Sequence, residues 1–404
     1  MSNNNWGKFT ARGSQKVEVL ITEIVEEMVA LINKVIPEKE YKCLYMLGGY
    51  GRGEGGVVIV NGRERPHNNF DLMLVTGEIN AEKAAELKQR MDNALIDFID
   101  RVGVGVDTSV ISAGKLKSSA CRIIWYDMKF GHKLLTGTND IINNITQFKL
   151  KNIPAWDARN LLVNRGTLMI INDLLLETKP LTPEIKKVII KHTVKSIIGF
   201  GDNLLFSLGD YDWSYVEKQK RMQQRQDIDE DFCKLYDDAM NFRFQPNYDP
   251  YMELDIKQWL KESRELMKDI NLICESRRLH KRKLDWDTYI YTALAHGVKE
   301  GGMGLKSWGK KLINYSRTES EFPGHASSSV KLGYKFLGEK GVLPLIFPLI
   351  VYNLRNKDYR TIARTYLQVQ NFDFIALRRA YLKKWGEHMD TNFNNLITKF
   401  DIKL

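Results

Sequence analysis

Cysteine is scarce in this chain: Cys43, Cys121, Cys233 and Cys274 are the only four in 404 residues. They are widely scattered, with no CxxC pair and no Cys/His cluster, so neither a zinc site nor a disulfide framework is expected. A reducing, cytoplasmic setting is the simplest reading. A long apolar run is also lacking. The most apolar stretch, residues 341–351, contains Pro344 and Pro348. It falls short of the ~20 residues a membrane span needs, and reads as a buried segment with no membrane contact. The opening residues, Met1 to Trp6, are polar and lack a signal-peptide core.

Several catalytic signatures are missing too. No GxSxG motif or Ser/His/Asp order stands out. His132, His192, His280 and His296 are isolated, without metal-ligand spacing. A glycine-rich run at residues 48–53 does not end in Gly-Lys-Ser/Thr, which excludes a Walker loop. Its glycine spacing, and the lack of an acidic residue closing a second strand, exclude the dinucleotide fingerprint. There is no internal repeat and no low-complexity tract.

What remains is an ordinary globular composition. Hydrophobic residues make up 43% and charged residues 27%, enough for a sizeable core in two or three domains. The net charge of +10 suits an anionic partner such as a nucleotide, a nucleic acid or an anionic membrane, and equally a solvated basic surface. The basic run from Arg277 to Lys283, beside Trp286 and Tyr289, reads as a nucleic-acid patch or as a solvated helix face.

Periodicity predicts an amphipathic helix over residues 16–36, ended by Pro37, and then a buried strand over 43–47 stopped by glycines. Asn61-Gly62, between an apolar and a polar run, predicts a hairpin, because both residues tolerate positive φ. Residues 70–75 follow as a core strand, 81–99 as a helix and 102–111 as a third strand. Residues 126–137 read as a helix or strand ending in a turn. Helical patterns dominate after Pro154: residues 156–176, 183–208, 215–222, 229–241, 252–278 and beyond. The expected class is α+β: a small mixed-sheet domain over residues 1–148, then a mainly α-helical domain over 149–404, with a possible division at a loop near 316–329.

The chemistry concentrates in Gly48-Gly49-Tyr50-Gly51-Arg52-Gly53-Glu54, Asn69-Phe70-Asp71 and Asp107. Bare glycine backbone approaches phosphate oxygens closely. Residues at i and i+2 of a strand point the same way, so Asn69 and Asp71 share a face, and Asp107 on a neighbouring strand can complete the group. Carboxylates inside apolar strands need a cation or a partner, and such oxygen clusters suit Mg²⁺. Read alone, either Asp also fits a turn cap or a partner for Arg52.

This pattern resembles the nucleotidyltransferase fold of the DNA polymerase β superfamily. Leu47-Gly48-Gly49 matches the start of its signature, and Gly51-Arg52-Gly53-Glu54 its continuation in small-substrate members. Asp71 matches the second acid and Asp107 the third. The resemblance covers roughly residues 16–145. Residues 195–205, with Tyr211 and Ser214-Tyr215, look like the helical region that follows such domains in some bacterial members.

The resemblance implies transfer of a nucleoside monophosphate from a triphosphate such as ATP to a hydroxyl-type acceptor, with release of pyrophosphate. The acceptor expected is a small molecule more than a protein or an RNA end. Gly48 and Gly49 would hold the triphosphate, with Tyr50 lining the pocket and Arg52 neutralising phosphate charge. Asn69, Asp71 and Asp107 would be the ligands for Mg²⁺ or Mn²⁺, and Asp71 and Asp107 the catalytic pair. Asn69 stands where the family has its first acid, and offers a neutral carbonyl oxygen in place of a carboxylate. A nucleotide-binding or partner-binding module that has lost turnover is therefore the alternative, and a nucleic-acid-binding scaffold a third reading.

Overall fold

The computed structural model describes residues 6–137, 140–300, 305–317, 328–352, 354, 356–370 and 373–404. The chain divides into two compact units. The first contains residues 1–154 together with 211–225 and 237–247; the second contains 155–210, 226–236 and 248–404. The expected loop near 316–329 lies almost wholly outside the described residues.

In the first unit, the apolar stripe Val17, Ile21, Ile24, Val25, Met28 and Ile32 of α1 (Gln15–Val35) is buried. Leu87, Met91, Leu95 and Phe98 do the same for α3 (Ala81–Val102). Both helices share one core with alternate residues of two strands: Leu44 and Met46 of β1 (Cys43–Leu47), and Phe70, Leu72 and Leu74 of β4 (Phe70–Thr76). Because strand side chains alternate, the opposite face carries Tyr45, Leu47, Asp71 and Met73. Between β1 and β4 lie a one-turn helix, α2 (Gly48–Gly51), and a separate two-stranded sheet of β2 (Val57–Val60) and β3 (Arg63–Pro66). Their turn is the expected hairpin: Asn61 has φ 50° and Gly62 φ 72°.

The main sheet has four strands in the order β5-β4-β1-β6, completed by β5 (Val106–Ser112) and β6 (Lys133–Thr136). It is mixed: β1 runs antiparallel to β4 and β6, and β4 runs parallel to β5. The third strand begins later than its valines predict. Val102 ends α3, Gly103 caps it at φ 73°, and β5 starts at Val106. The ambiguous residues 126–137 resolve into both candidates. The end of α5 (Ile123–Phe130), which follows α4 (Ala113–Ser118), is succeeded by β6.

The second unit is helical. α6 (Ala155–Thr178) and α7 (Pro183–Leu208) form its central pair. α8 (Tyr215–Gln223) belongs to the first unit, and α9 (Glu230–Phe244) is shared between the two. The remaining helices are α10 (Asp249–Met252), α11 (Ile256–Arg278), α12 (Tyr289–Gly297), α13 (Leu305–Arg317), α14 (Ser328–Val351), α15 (Lys357–Leu367), α16 (Phe374–His388) and α17 (Asn392–Lys399). The apolar run is the end of α14, with Val342, Leu343, Leu345, Ile346 and Phe347 fully buried. Among the described residues no helix is long and apolar enough to cross a membrane. Within the basic run, Arg278 is buried and paired with Glu275 and Glu300.

His192 makes the second unit acid-sensitive. It is buried on α7, and its Nδ1 lies 2.9 Å from Asn172 Oδ1. Burial, and then the charges of Lys195, Lys191 and Lys399, push its imidazole down to about 3. The unfolded chain titrates near the ordinary value of about 6.5. Between those limits the unfolded state holds the extra proton, so this stabilisation is present above pH ~6.5 and is lost as pH falls. The expected slope is about 1.4 kcal/mol per pH unit. Chemical denaturation from pH 7 to 4.5 should show a shallower loss in His192→Gln, whatever that variant's stability at pH 7.

Candidate functional site

Sheet register brings the sequence-predicted polar residues together. Leu47, the last residue of β1, pairs with Asp71, and Asp71 pairs across the parallel ladder with Asp107. The two carboxylates are therefore lateral neighbours on the face that α1 and α3 leave uncovered. Asp71 is half-buried and Asp107 exposed. Asn69, two residues before Asp71, donates from Nδ2 to Asp107 Oδ2 at 3.1 Å.

Gly48 closes this group against the loop. Its φ is +65°, and a Cβ built on it would stand 1.8 Å from Asp71 Oδ2. Glycine is needed there on both counts: the backbone is left-handed, and the carboxylate occupies the space of a side chain.

The other predicted residues have structural partners. Tyr50 is fully buried, stacked on Phe70 with ring centroids 4.5 Å apart. Its hydroxyl donates to the Gly56 carbonyl at 2.9 Å and accepts from the His67 N–H at 3.0 Å. Burial, the dominant effect, raises its pKa and keeps the phenol neutral. Arg52 pairs with Asp127 of α5 at 2.9 Å, both side chains being largely buried. Tyr211 donates to the same carboxylate at 2.9 Å. Burial opposes the Arg52 charge, but Asp127, with Tyr215, Tyr211 and Glu54, outweighs it and raises the guanidinium pKa.

Glu54 reaches a different target. It accepts from Ser214 Oγ at 2.5 Å and from the Tyr215 N–H at 2.7 Å, so it satisfies the amino end of α8. Tyr211 and Ser214-Tyr215, quoted above for their likeness to a helical region, thus anchor the glycine loop within the first unit. Asp127 carries no sequence signal for this role. It reaches the loop only through the fold.

The donor set can be weighed against a divalent ion. Two adjacent carboxylates and an amide oxygen suit Mg²⁺, which takes one or two carboxylates and fills its shell with phosphates and water. Asn69 places an N–H on one oxygen of Asp107, where a third carboxylate would have offered a ligand. Among the described residues no group of three or more His, Cys, Asp and Glu side chains is gathered for a metal. The fit is to an ion held mainly by Asp71 and Asp107 and completed by a phosphate-bearing ligand. No family model matches the chain, and neither does any curated protein.

Proposed function

We propose that this end of the sheet is a nucleotidyltransferase site, in a small mixed-sheet domain of that fold followed by a helical domain. It takes a nucleoside triphosphate and moves the nucleoside monophosphate to a hydroxyl-type acceptor. The observation that carries the reading is the register: Asp71 and Asp107 side by side on parallel strands, with Asp71 packed on left-handed Gly48 at the end of β1. The loop backbone at Gly48 and Gly49 holds the phosphate chain. Mg²⁺ or Mn²⁺, held by Asp71 and Asp107 with Asn69 beside them, would neutralise the charge of the triphosphate. Asp107, the exposed member of the pair, faces the acceptor and orients its hydroxyl or receives its proton. The acceptor oxygen forms the new bond to the α-phosphorus, the bond to the bridging oxygen breaks, and pyrophosphate leaves.

Asn69 favours a second reading. With its amide on Asp107, the same site binds the triphosphate without turning it over. Pyrophosphate release separates the two. The chain is incubated with each nucleoside triphosphate and Mg²⁺ or Mn²⁺, alongside Asp71→Ala and Asp107→Ala. Release that falls by about a thousandfold in both variants supports transfer. Triphosphate binding by the unaltered chain with no release supports the second reading.

A further inference from the structure

Arg52 is the cation that the sequence places in the glycine loop, and Asp127 neutralises it. A different cation stands at the loop without a carboxylate. Arg243 lies in the last turn of α9, in the part of that helix that belongs to the first unit. Its Nη2 is 3.5 Å from the position a Cβ would take on Gly49. Its Nε is buried and has no hydrogen-bond partner. Among the described residues no carboxylate forms an ion pair with it.

The guanidinium is also held in place. Its centre sits 3.8 Å from the centroid of the Tyr215 ring, the separation of a stacked cation–π pair. Tyr215 is fixed in turn by the bond from its backbone N–H to Glu54. Lys218 Nζ lies 4.1 Å and the Arg52 guanidinium 5.0 Å from the centre of the same ring. Three cations therefore surround one ring, while Asp127 pairs with Arg52 and Glu54 caps α8. A stacked guanidinium keeps its in-plane N–H groups directed outward in a fork that matches two phosphate oxygens. Gly49 itself is buried, with Gly55 Cα at 3.4 Å and the Glu54 carbonyl oxygen at 3.6 Å from its would-be Cβ, so Arg243 and not the glycine surface presents the binding group here.

We infer that Arg243, oriented by Tyr215, is the anion-binding side chain of the glycine loop, and that it takes oxygens of a phosphate chain bound at that loop. Identifying that chain as part of a nucleoside triphosphate rests on the function proposed above. The anion site itself rests only on the geometry around Arg243.

Calorimetric titration of the full chain tests it. The ligands are inorganic tripolyphosphate without divalent ions, and a non-hydrolysable nucleoside triphosphate with Mg²⁺. Arg243→Gln is expected to weaken both at least tenfold, and Arg243→Lys to recover part of the loss. Tripolyphosphate binding should survive Asp71→Ala and Asp107→Ala. Arg243→Gln affinities equal to those of the unaltered chain would overturn the inference, as would a loss confined to the nucleotide, which would place Arg243 on the nucleoside. A chain that binds neither ligand overturns both this inference and the proposed function. Pyrophosphate release unaffected by Arg243→Gln overturns only the inference. Arg243-dependent tripolyphosphate binding without any release overturns only transfer. A measurement without a variant guards against misfolding. Tripolyphosphate should slow phenylglyoxal modification of Arg243, followed by peptide mass spectrometry, at least fivefold. An unchanged rate would contradict the assignment.

Discussion

Replacing Gly48 with alanine is expected to destabilise the first unit by more than the ~1–2 kcal/mol of its left-handed backbone and to remove triphosphate binding. Two effects add. The left-handed backbone at φ +65° is unfavourable for any residue with a Cβ, by about 1–2 kcal/mol. The new methyl would also stand 1.8 Å from Asp71 Oδ2, so the carboxylate or the loop must move. Gly62 provides the control. It has nearly the same backbone, φ +72°, in the turn between β2 and β3, but nothing within 4 Å of its would-be Cβ. Gly62→Ala should lose only the backbone part, about 1–2 kcal/mol, and leave ligand binding intact. The difference between the two variants in urea denaturation isolates the collision with Asp71. Equal losses with triphosphate binding retained in Gly48→Ala would mean that Asp71 does not sit against the loop.

Asn69→Asp is expected to convert a weak divalent site into a strong one. Without metal the variant loses the Asn69 N–H bond to Asp107 and gains a like charge beside it. Its melting temperature should fall by about 2–4 °C, the shift that ~1 kcal/mol produces in a unit of this size. Millimolar Mn²⁺ or Mg²⁺ should reverse that fall and raise the melting point further, because an ion that binds only the folded state stabilises by mass action. The unaltered chain should respond much less. The rate of pyrophosphate release separates two roles for the amide. A gain in the variant marks Asn69 as the residue that blunts transfer. A loss marks the amide as a positioning group for Asp107.

The parts legible in the sequence were those with local causes. Asn61-Gly62 set the hairpin because both residues accept positive φ, and the alternation through Phe70 to Val75 placed Asp71 on the face opposite the core. Asn69 shared that face by the two-residue period, and Asp107 was expected to join from a neighbouring strand. The start of β5 was misplaced because Val102, Val104 and Val106 read alike as strand residues, whereas Gly103 let α3 run on to Val102 before the chain turned. What the sequence hid was partnership. From the sequence, Arg52 was expected on phosphate charge or beside Asp71 or Asp107. In the structure Arg52 pairs with Asp127, 75 residues away, and Glu54 caps a helix 160 residues away. For the same reason residues 211–225 and 237–247 fold with the first unit although they follow its apparent end. Arg243 could be connected to Gly49 only once α9 was in place.

The most direct test of the account is a crystal structure of the chain with a non-hydrolysable triphosphate analogue and Mn²⁺, located by anomalous scattering. The account predicts the phosphate chain against Gly48 and Gly49 and manganese beside Asp71 and Asp107. A triphosphate bound elsewhere, or bound at the loop with no manganese at either aspartate, would contradict it.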